Sequence, residues 1–416
     1  MSIVHVLSSF GVGGQERVAL DLAIGQKARG HAVRVISLAP APDGAMADEF
    51  LAAGIPTARV PKHGGFDPIL VARLARALRG ADLVHTHNPL PLIYGAPAAR
   101  LVGAACVHTK HGINPGGRRN RWLRRSAARL AHAFVAVSDT TAAQARAQHD
   151  ATPDKLHTIA NGIRLERYTP DPAARLAARA ELGLGDAWVV GTVGRLDAAK
   201  NQVMLIRAMA PLLSARVRLV IIGDGDARPE LEAAIASLPD PRWVVMTGRR
   251  MDVPHLVHAF DVFALSSRTE GLPLVVPEAM AAGLPIVTTN VGGLPGVVDD
   301  QVSGLVVPVD EAAMAGALAT LEHDRDRAHA MGRRGRLEAL ARFSSDRMVE
   351  AYLALYADAL RGRRQLTGQL AQGRAGDGAA ALAVGLEHQL LDQPQIARGR
   401  NQAVAGTADQ SEGAAR

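Results

Sequence analysis

The sequence predicts an α/β protein built from two doubly wound domains, and three observations carry that reading. Short apolar runs rich in Val and Ile alternate with longer Ala, Leu and Arg segments of helical period. The alternation restarts after a polar stretch near the middle of the chain, punctuated by Pro170, Pro172, Gly183 and Gly185. A chain of 416 residues, 48% of them hydrophobic, also exceeds what one ordinary core supports. The strands read as uninterrupted apolar runs, as parallel strands covered on both faces require.

IVHVL, the helix ERVALDLAIGQKARG and the strand HAVRVISLA make a βαβ opening. VARLARALRG, ADLVHTH, IYGAPAARLVG, AACVHTK, a basic helix around RRNRWLRRSAARLA, AFVAVS and KLHTIAN continue the pattern and complete an N-terminal domain over residues 1–165. Residues 166–186 are expected to be the interdomain joint. A C-terminal domain over 187–343 begins at WVVGTVGRL and runs through VRLVIIGDG, WVVMTG, DVFALSS, PIVTTNVGG and SGLVVPV, with helical segments between. Residues 344–362 predict one last helix, with Ser candidates for its cap, a stripe of Met348, Tyr352, Leu355 and Leu360, and a stop at Gly362. This helix is expected to pack back on the N-terminal domain. Residues 363–416, rich in Gln, Ala and Gly, are expected to form a flexible tail to which no function is assigned.

Composition excludes several classes. A single cysteine, Cys106, cannot close an intramolecular disulfide or build a Cys-rich zinc scaffold, and reads as a small core residue in a reducing compartment. No apolar run approaches the roughly 20 residues of a spanning helix, and the N-terminus lacks a basic region ahead of its short apolar stretch. The expected location is therefore cytoplasmic, or peripheral at the inner face of the membrane. Lysine occurs only at Lys27, Lys62, Lys110, Lys155 and Lys200, so the net charge of +7 is almost entirely arginine.

In doubly wound sheets ligands sit beyond the carboxyl ends of the strands, so the residues just past each strand matter most. After the first strand, Gly11-Val12-Gly13-Gly14-Gln15-Glu16 is a glycine turn into a helix whose N–H groups can approach phosphate or sugar oxygens. It is not a dinucleotide fingerprint, because Glu16 stands where the third glycine belongs and would repel a pyrophosphate. In the second half, Arg195 and Lys200 follow a strand end, five residues apart just before a helix, and can point at one anion, a forked donor and a point charge suited to a departing diphosphate. The alternative is a solvated loop. Glu270 comes after a later strand, and Glu278 lies in the first turn of the next helix just after Pro277, where the helix dipole should keep it ionised. Each carboxylate can accept from a pair of sugar hydroxyls. The pair could instead be a hydrolase's acid and base, but cations and glycine turns in the same crevice suit a phosphorylated ligand better.

With these residues in place, the chain resembles glycosyltransferase family 4. The resemblance rests on Glu270 and Glu278 within SSRTEGLPLVVPEAMAAGLPIVTTNVGG, together with GRLDAAKNQ, IIGDGD, NGIRLERY and GVGGQERV, in that family's order, and spans residues 3–361. It implies the GT-B fold, two Rossmann-like domains facing across a cleft, and a retaining hexosyltransferase that moves a sugar from a nucleotide-sugar donor to a glycan or lipid-linked acceptor in exopolysaccharide or lipopolysaccharide assembly. It further implies that Glu278 binds the nucleotide ribose and Glu270 the sugar hydroxyls, and that Arg195 and Lys200 hold the diphosphate. Gly13, Gly14, Gly223, Asp224, Gly271 and Leu272 would line the donor site, with His111 facing the donor sugar, unless it is a buried structural histidine. No metal and no cofactor are implied. The family's Asp after Asn-Gly-Ile is Arg164 here, which leaves any role of that acid in doubt. Other GT-B enzymes, a nucleotide-sugar epimerase or a phosphorylase, and a catalytically silent nucleotide-sugar binder are the rival readings.

Two further patterns carry expectations. His85 and His87 with His108 and His111 make HxH and HxxH at neighbouring strand ends, a candidate zinc set, although side chains that alternate between faces weigh against it. Between residues 70 and 129, eleven basic residues face one acid, Asp82, and Trp122 and Leu123 sit among the arginines, as interfacial helices have them. An anionic membrane surface is the expected partner there, against a merely solvated face. Nucleic acid is not expected, since no aromatic stacking platform accompanies the charge.

Overall fold

The computed structural model describes residues 1–42, 44–112 and 118–362. The first lobe is a seven-stranded parallel sheet of β1 (Ser2–Leu7), β2 (Ala32–Ser37), β3 (Thr57–Arg59), β4 (Leu83–His87), β5 (Ala105–Lys110), β6 (Ala133–Ala136) and β7 (Leu156–Thr158), in the order β3-β2-β1-β4-β5-β6-β7. Its helices are α1 (Gly14–Ala28), α2 (Met46–Ala52), α3 (Ile69–Ala77), α4 (Pro89–Leu101), α5 (Arg118–Leu130) and α6 (Asp139–Ala147). After α7 (Pro172–Glu181) the second lobe repeats the plan with β8 (Trp188–Val193), β9 (Val217–Ile222), β10 (Val244–Gly248), β11 (Val262–Leu265), β12 (Ile286–Thr289) and β13 (Gly304–Val307), in the order β10-β9-β8-β11-β12-β13. Here α8 (Gln202–Met209), α9 (Arg228–Ala236), α10 (Val253–Leu256), α11 (Val275–Ala281), α12 (Glu311–His323) and α13 (Arg325–Arg342) cover the sheet.

This is the predicted pair of doubly wound domains. Each strand order reverses once, between β1 and β4 and between β8 and β11, and the crevice at such a reversal is where open α/β sheets bind ligands.

One apolar core joins the lobes: Val18 and Leu22 of α1 and Leu7 of β1 belong to the same cluster as Phe260, Leu272, Leu274 and Tyr352. The outer faces have separate cores, around Leu74, Val84 and Cys106 in the first lobe and Leu205, Leu219 and Met314 in the second. Burial pushes the Cys106 thiol up to about 12, so it is the inert core residue expected.

A last helix, residues 345–362, returns to the first sheet. Tyr352 and Tyr356 are wholly buried there, and a Cβ on Gly25 of α1 would come within 2.6 Å of Val349. Where the chain crosses, the Ile163 N–H donates to the Phe343 carbonyl (2.8 Å) and the Ser345 N–H to the Ile163 carbonyl (2.9 Å). A Cβ on Gly162 would stand 2.5 Å from the Ser344 carbonyl, so the Asn-Gly-Ile motif owes its glycine to this crossing. The expected tail, 363–416, lies outside the described residues.

Candidate active site

At the first reversal, Gly13 caps α1 and Gly14 faces the second lobe, where an added Cβ would contact Leu274 at 3.9 Å. Glu16 is buried in the first turn, and burial raises its carboxyl to about 6 despite a 2.5 Å hydrogen bond from Gln15 and the charge of Arg195 across the cleft. Gln15 accepts in turn from the side chain of Asn88, whose Oδ1 accepts from the His111 N–H at 3.1 Å. Asn88 comes after β4 with φ of 66° and ψ of 171°, a sparsely populated conformation that residues with a side chain rarely adopt. This polar chain links the turn after β1 with the turns after β4 and β5. Gln15 falls within the glycine-turn motif, but the sequence reading singled out neither it nor Asn88.

Behind it lies a row of histidines. β1 pairs with β4 so that His5 stands beside His85, and His87, two residues on, shares their face. His5 Nδ1 lies 3.0 Å from His87 Nε2, and His87 Nδ1 lies 2.9 Å from His111 Nε2. His85 is held between Tyr356 (2.6 Å) and Thr109 (2.7 Å). Burial depresses all of them: His5 falls to about 4, His111 to about 3, and His85 and His87 well below the usual imidazole range. The rings are neutral at physiological pH.

The candidate zinc set does not come together, for the reason that weighed against it. His108 points to the opposite face, where it meets Thr86 at 3.0 Å and the ring of Phe134, while His5 takes a place that no sequence motif marks. His5, His85 and His87 do have ligand atoms within 4.8 Å of one another. Every ring nitrogen of the three is nevertheless engaged, by Gln26, Tyr356, Thr109 or another histidine. A cation would have to break several of these bonds to bind, so the group is a hydrogen-bonded core rather than an open ligand set.

At the second reversal, Lys200 donates to Glu270 at 2.6 Å, and the Ser267 hydroxyl donates to the same oxygen at 2.5 Å. Glu270 is almost completely buried. Arg195 instead stands with its side chain 77% exposed and pairs with Asp197 at 2.7 Å, so the two cations do not converge on one point as expected from their spacing. Gly223 adopts φ of 147°, and a Cβ there would lie 1.9 Å from the Gly194 carbonyl; this glycine is demanded by the packing of neighbouring loops. The Asp224 carboxylate is committed to Arg228 at 2.9 Å, which holds it below the usual carboxylate range.

Glu278 lies in the first turn of α11. Contrary to the dipole expectation, burial pushes its carboxyl up, and the Tyr168 hydroxyl donates to it. Tyr168 of NGIRLERY is a further residue that the motif alone does not single out. Arg164 sits 2.8 Å from buried Asp21 of α1, so the unusual residue after Asn-Gly-Ile is an interlobe-side ion-pair partner.

The two edges touch. A Cβ on Gly271 would come 2.7 Å from the His111 carbonyl, and one on Gly293 would come 2.3 Å from the Gly271 carbonyl. Thr140 donates to the Gly292 carbonyl (3.1 Å) and Asn161 to the Leu272 carbonyl (3.3 Å). Gly271 and Leu272 thus serve as the seam that sets His111 beside Glu270, and Gly271 tolerates no bulk on its first-lobe side.

The basic segment is less exposed than its composition suggests. Lys110 and Arg124 are buried on Asp150, at 2.7 and 2.9 Å, and Arg73 pairs with Asp67 at 2.8 Å. Arg76, Arg79, Arg100, Arg119, Arg121 and Arg129 remain on the surface. Beside them Trp122 (66%), Ile69 (69%) and Phe66 (51%) are exposed, with the Arg119 guanidinium 5.9 Å from the Phe66 ring. The amino ends of α3 and α5 lie at the carboxyl edge of the sheet, as crossover helices of parallel strands must, so Phe66, Ile69, Arg119, Arg121 and Trp122 lie toward the cleft, whereas Arg76, Arg79, Arg100 and Arg129, at the carboxyl ends of their helices, lie toward the opposite edge. No helix among the described residues is long and apolar enough to cross a membrane.

Comparison with known proteins identifies the family. Residues 12–167 match the family described as Glycosyltransferase Family 4, and residues 187–324 match Glycosyl transferases group 1. A D-inositol 3-phosphate glycosyltransferase of Saccharomonospora viridis is 32% identical over 84% of this chain and 90% of its own length. The chain belongs to glycosyltransferase family 4. This family member is a glycosyltransferase of the GT-B fold. It is also 29% identical to an Escherichia coli UDP-Gal:alpha-D-GlcNAc-diphosphoundecaprenol alpha-1,3-galactosyltransferase, over 55% of this chain and 63% of that one. Among solved structures, Anabaena HepE in complex with UDP-glucose superimposes with a TM-score of 0.76 at 26% identity, covering 85% of this chain and 99% of the other.

Proposed function

We propose that this glycosyltransferase moves a hexose from a uridine diphosphate sugar to a lipid-linked saccharide, with retention at the anomeric carbon and without a metal, in the assembly of a surface polysaccharide such as exopolysaccharide or lipopolysaccharide. The observation that carries the reading is the Lys200–Glu270 pair at the second reversal, set against His111 of the first lobe through Gly271. HepE, similar over almost its whole length, was crystallised with UDP-glucose, which favours uridine over other bases. The acceptor is inferred from the basic and apolar patch at the cleft mouth, Arg119, Arg121, Trp122 and Phe66, which suits an anionic bilayer at its inner face. The undecaprenol-linked acceptor in the name of the Escherichia coli relative is of the same chemical kind.

In this mechanism the donor diphosphate draws the Lys200 ammonium away from Glu270, and Arg195 swings in from solvent beside it. Glu270, relieved of its cation, accepts from sugar hydroxyls, and Glu278 accepts from the ribose. As the bond from the anomeric carbon to the diphosphate breaks, the cations stabilise the charge that develops on the leaving oxygen. The acceptor hydroxyl attacks from the same face and passes its proton to the departing phosphate. Gly13, Gly14, Gly223 and Asp224 line the donor's path.

The test is a thermal-shift screen against UDP-, GDP- and ADP-sugars, then transfer assays with a polyprenyl-diphosphate saccharide and with inositol phosphate. A shift confined to another base, or transfer only to inositol phosphate, would overturn donor or acceptor. Donor isomerised without acceptor would indicate an epimerase, sugar phosphate released on adding phosphate would indicate a phosphorylase, and binding without turnover of any kind would indicate a silent binder. An inverted anomeric signal in the product would refute retention.

A further inference from the structure

We propose that Gln26, three hydrogen bonds away from the cleft, fixes the tautomer of His111, so that His111 presents a bare Nδ1 and recognises a hydroxyl proton rather than a phosphate or carboxylate oxygen. This rests on the placement of His111 at the donor sugar and says what it does there. Gln26 Oε1 lies 2.9 Å from His5 Nε2, and an amide oxygen only accepts, so His5 carries its proton on Nε2. A neutral imidazole has one N–H. His5 Nδ1 is then bare and accepts from His87 Nε2–H at 3.0 Å; His87 Nδ1 is bare in turn and accepts from His111 Nε2–H at 2.9 Å. Each neutral ring passes the polarity on, and the row ends at His111 Nδ1, which is buried and has no hydrogen-bond partner among the described residues.

The other side of Gln26 agrees. Its Nε2–H donates to the Tyr356 hydroxyl (3.3 Å), which is free to donate to His85 Nδ1 (2.6 Å), and His85 Nε2–H donates to Thr109 (2.7 Å). An amide turned the other way would reverse every bond in both rows and place a proton on His111 Nδ1. The burial that keeps the rings neutral is therefore part of the device: a protonated ring donates from both nitrogens and would break the relay. The arrangement makes Gln26 and His5 positioning residues that never touch substrate. It assigns a ligand class to the end of the row, a donor of an O–H, as a sugar hydroxyl is and an ionised phosphate is not.

The decisive measurement is nitrogen NMR of the full-length protein labelled with ¹⁵N in its histidines, at pH 8. The expected result is His111 protonated on Nε2 and bare on Nδ1. In Gln26→Met, which removes the amide and keeps the volume, both nitrogens of His111 should move toward the averaged values of mixed tautomers. Tyr356→Phe, which cuts the side branch and leaves the Gln26–His5 bond, should leave them where they are. A proton on Nδ1 in the unaltered protein, which needs no variant, would overturn the proposal. So would a His111 indifferent to Gln26→Met, or equally disturbed by both variants. Sugar transfer is the second readout, expected to fall about tenfold in Gln26→Met, the size of one mis-set hydrogen bond. A tautomer that responds while transfer does not would leave the relay standing and remove His111 from the donor sugar instead.

Discussion

The two lobes share a topology and line the same cleft with opposite electrostatics. The second lobe offers formal charge: Lys200 on Glu270 and Arg195 on Asp197, in pairs that a polyanion can exchange for itself. The first offers, beside the one carboxyl of Glu16, neutral imidazoles and amides, His87, His111, Asn88 and Gln15, whose polarity is set by hydrogen bonds. A phosphate needs cations that are held loosely enough to move. A hydroxyl needs a lone pair in a fixed place, and a neutral ring keeps that place without attracting anions. Under the proposed function the same fold serves two kinds of ligand through the side chains at the carboxyl ends of its strands.

The strongest way to break the charged side is Lys200→Ala. Turnover should fall about a hundredfold to a thousandfold, or about 3 to 4 kcal/mol, as for loss of one preorganised charge-stabilising donor; steady-state transfer kinetics measure it, and a rate near normal would end the electrostatic assignment. The neutral side should fail in acid. Five histidines, His5, His85, His87 and His108 in the core and half-buried His111, all have depressed folded values, so the stability they confer is complete above about 6.5 and is lost as pH falls from there toward about 3 to 4, where His5, His108 and His111 protonate. Glu16, Asp21 and Glu278 are raised and act in the opposite sense, but they are fewer, so thermal unfolding midpoints should drop steeply between about pH 6.5 and about pH 5.

Glu16→Gln sharpens the boundary between the two sides. The carboxyl is raised from 4.5 to about 6, so its favourable contribution exists below 4.5 and is lost as pH rises through 6. At about pH 7.5 the variant should be more stable than the unaltered protein by about 2 kcal/mol, with the difference vanishing below about pH 4.5; denaturant titrations at the two pH values read it. The smallest effect on chemistry belongs to the outer patch. Trp122→Ala with Arg121→Ser should reduce sedimentation with anionic vesicles and leave transfer to a short soluble acceptor unchanged, whereas equal binding to neutral vesicles would remove the electrostatic part.

The sequence by itself determined the two doubly wound domains and the family, because periodicity along a strand or helix is a local property and the strand ends carry the motifs; the strand orders and their reversal points came from the structure. It also placed Lys200, Glu270 and His111 at carboxyl edges. Only the tertiary structure decided which of these meet. His5 and His87 share a row because β1 pairs with β4, a strand far along the chain, and a register between distant strands leaves no mark in either one. His108 stands apart from the other histidines because its side chain falls on the opposite face of β5, as the alternation along a strand implies. Lys200 pairs with Glu270 instead of converging with Arg195, and Glu278 lost its expected easy ionisation, because burial and partners are set by how loops from separate strands pack. Tyr352 read as a core position in a helical stripe, Tyr356 and Gln26 carried no sequence signal, and all three became polar partners only when the last helix crossed back onto the first sheet. Chemistry spelled along one strand end is legible; chemistry assembled across two lobes is a property of the folded surface.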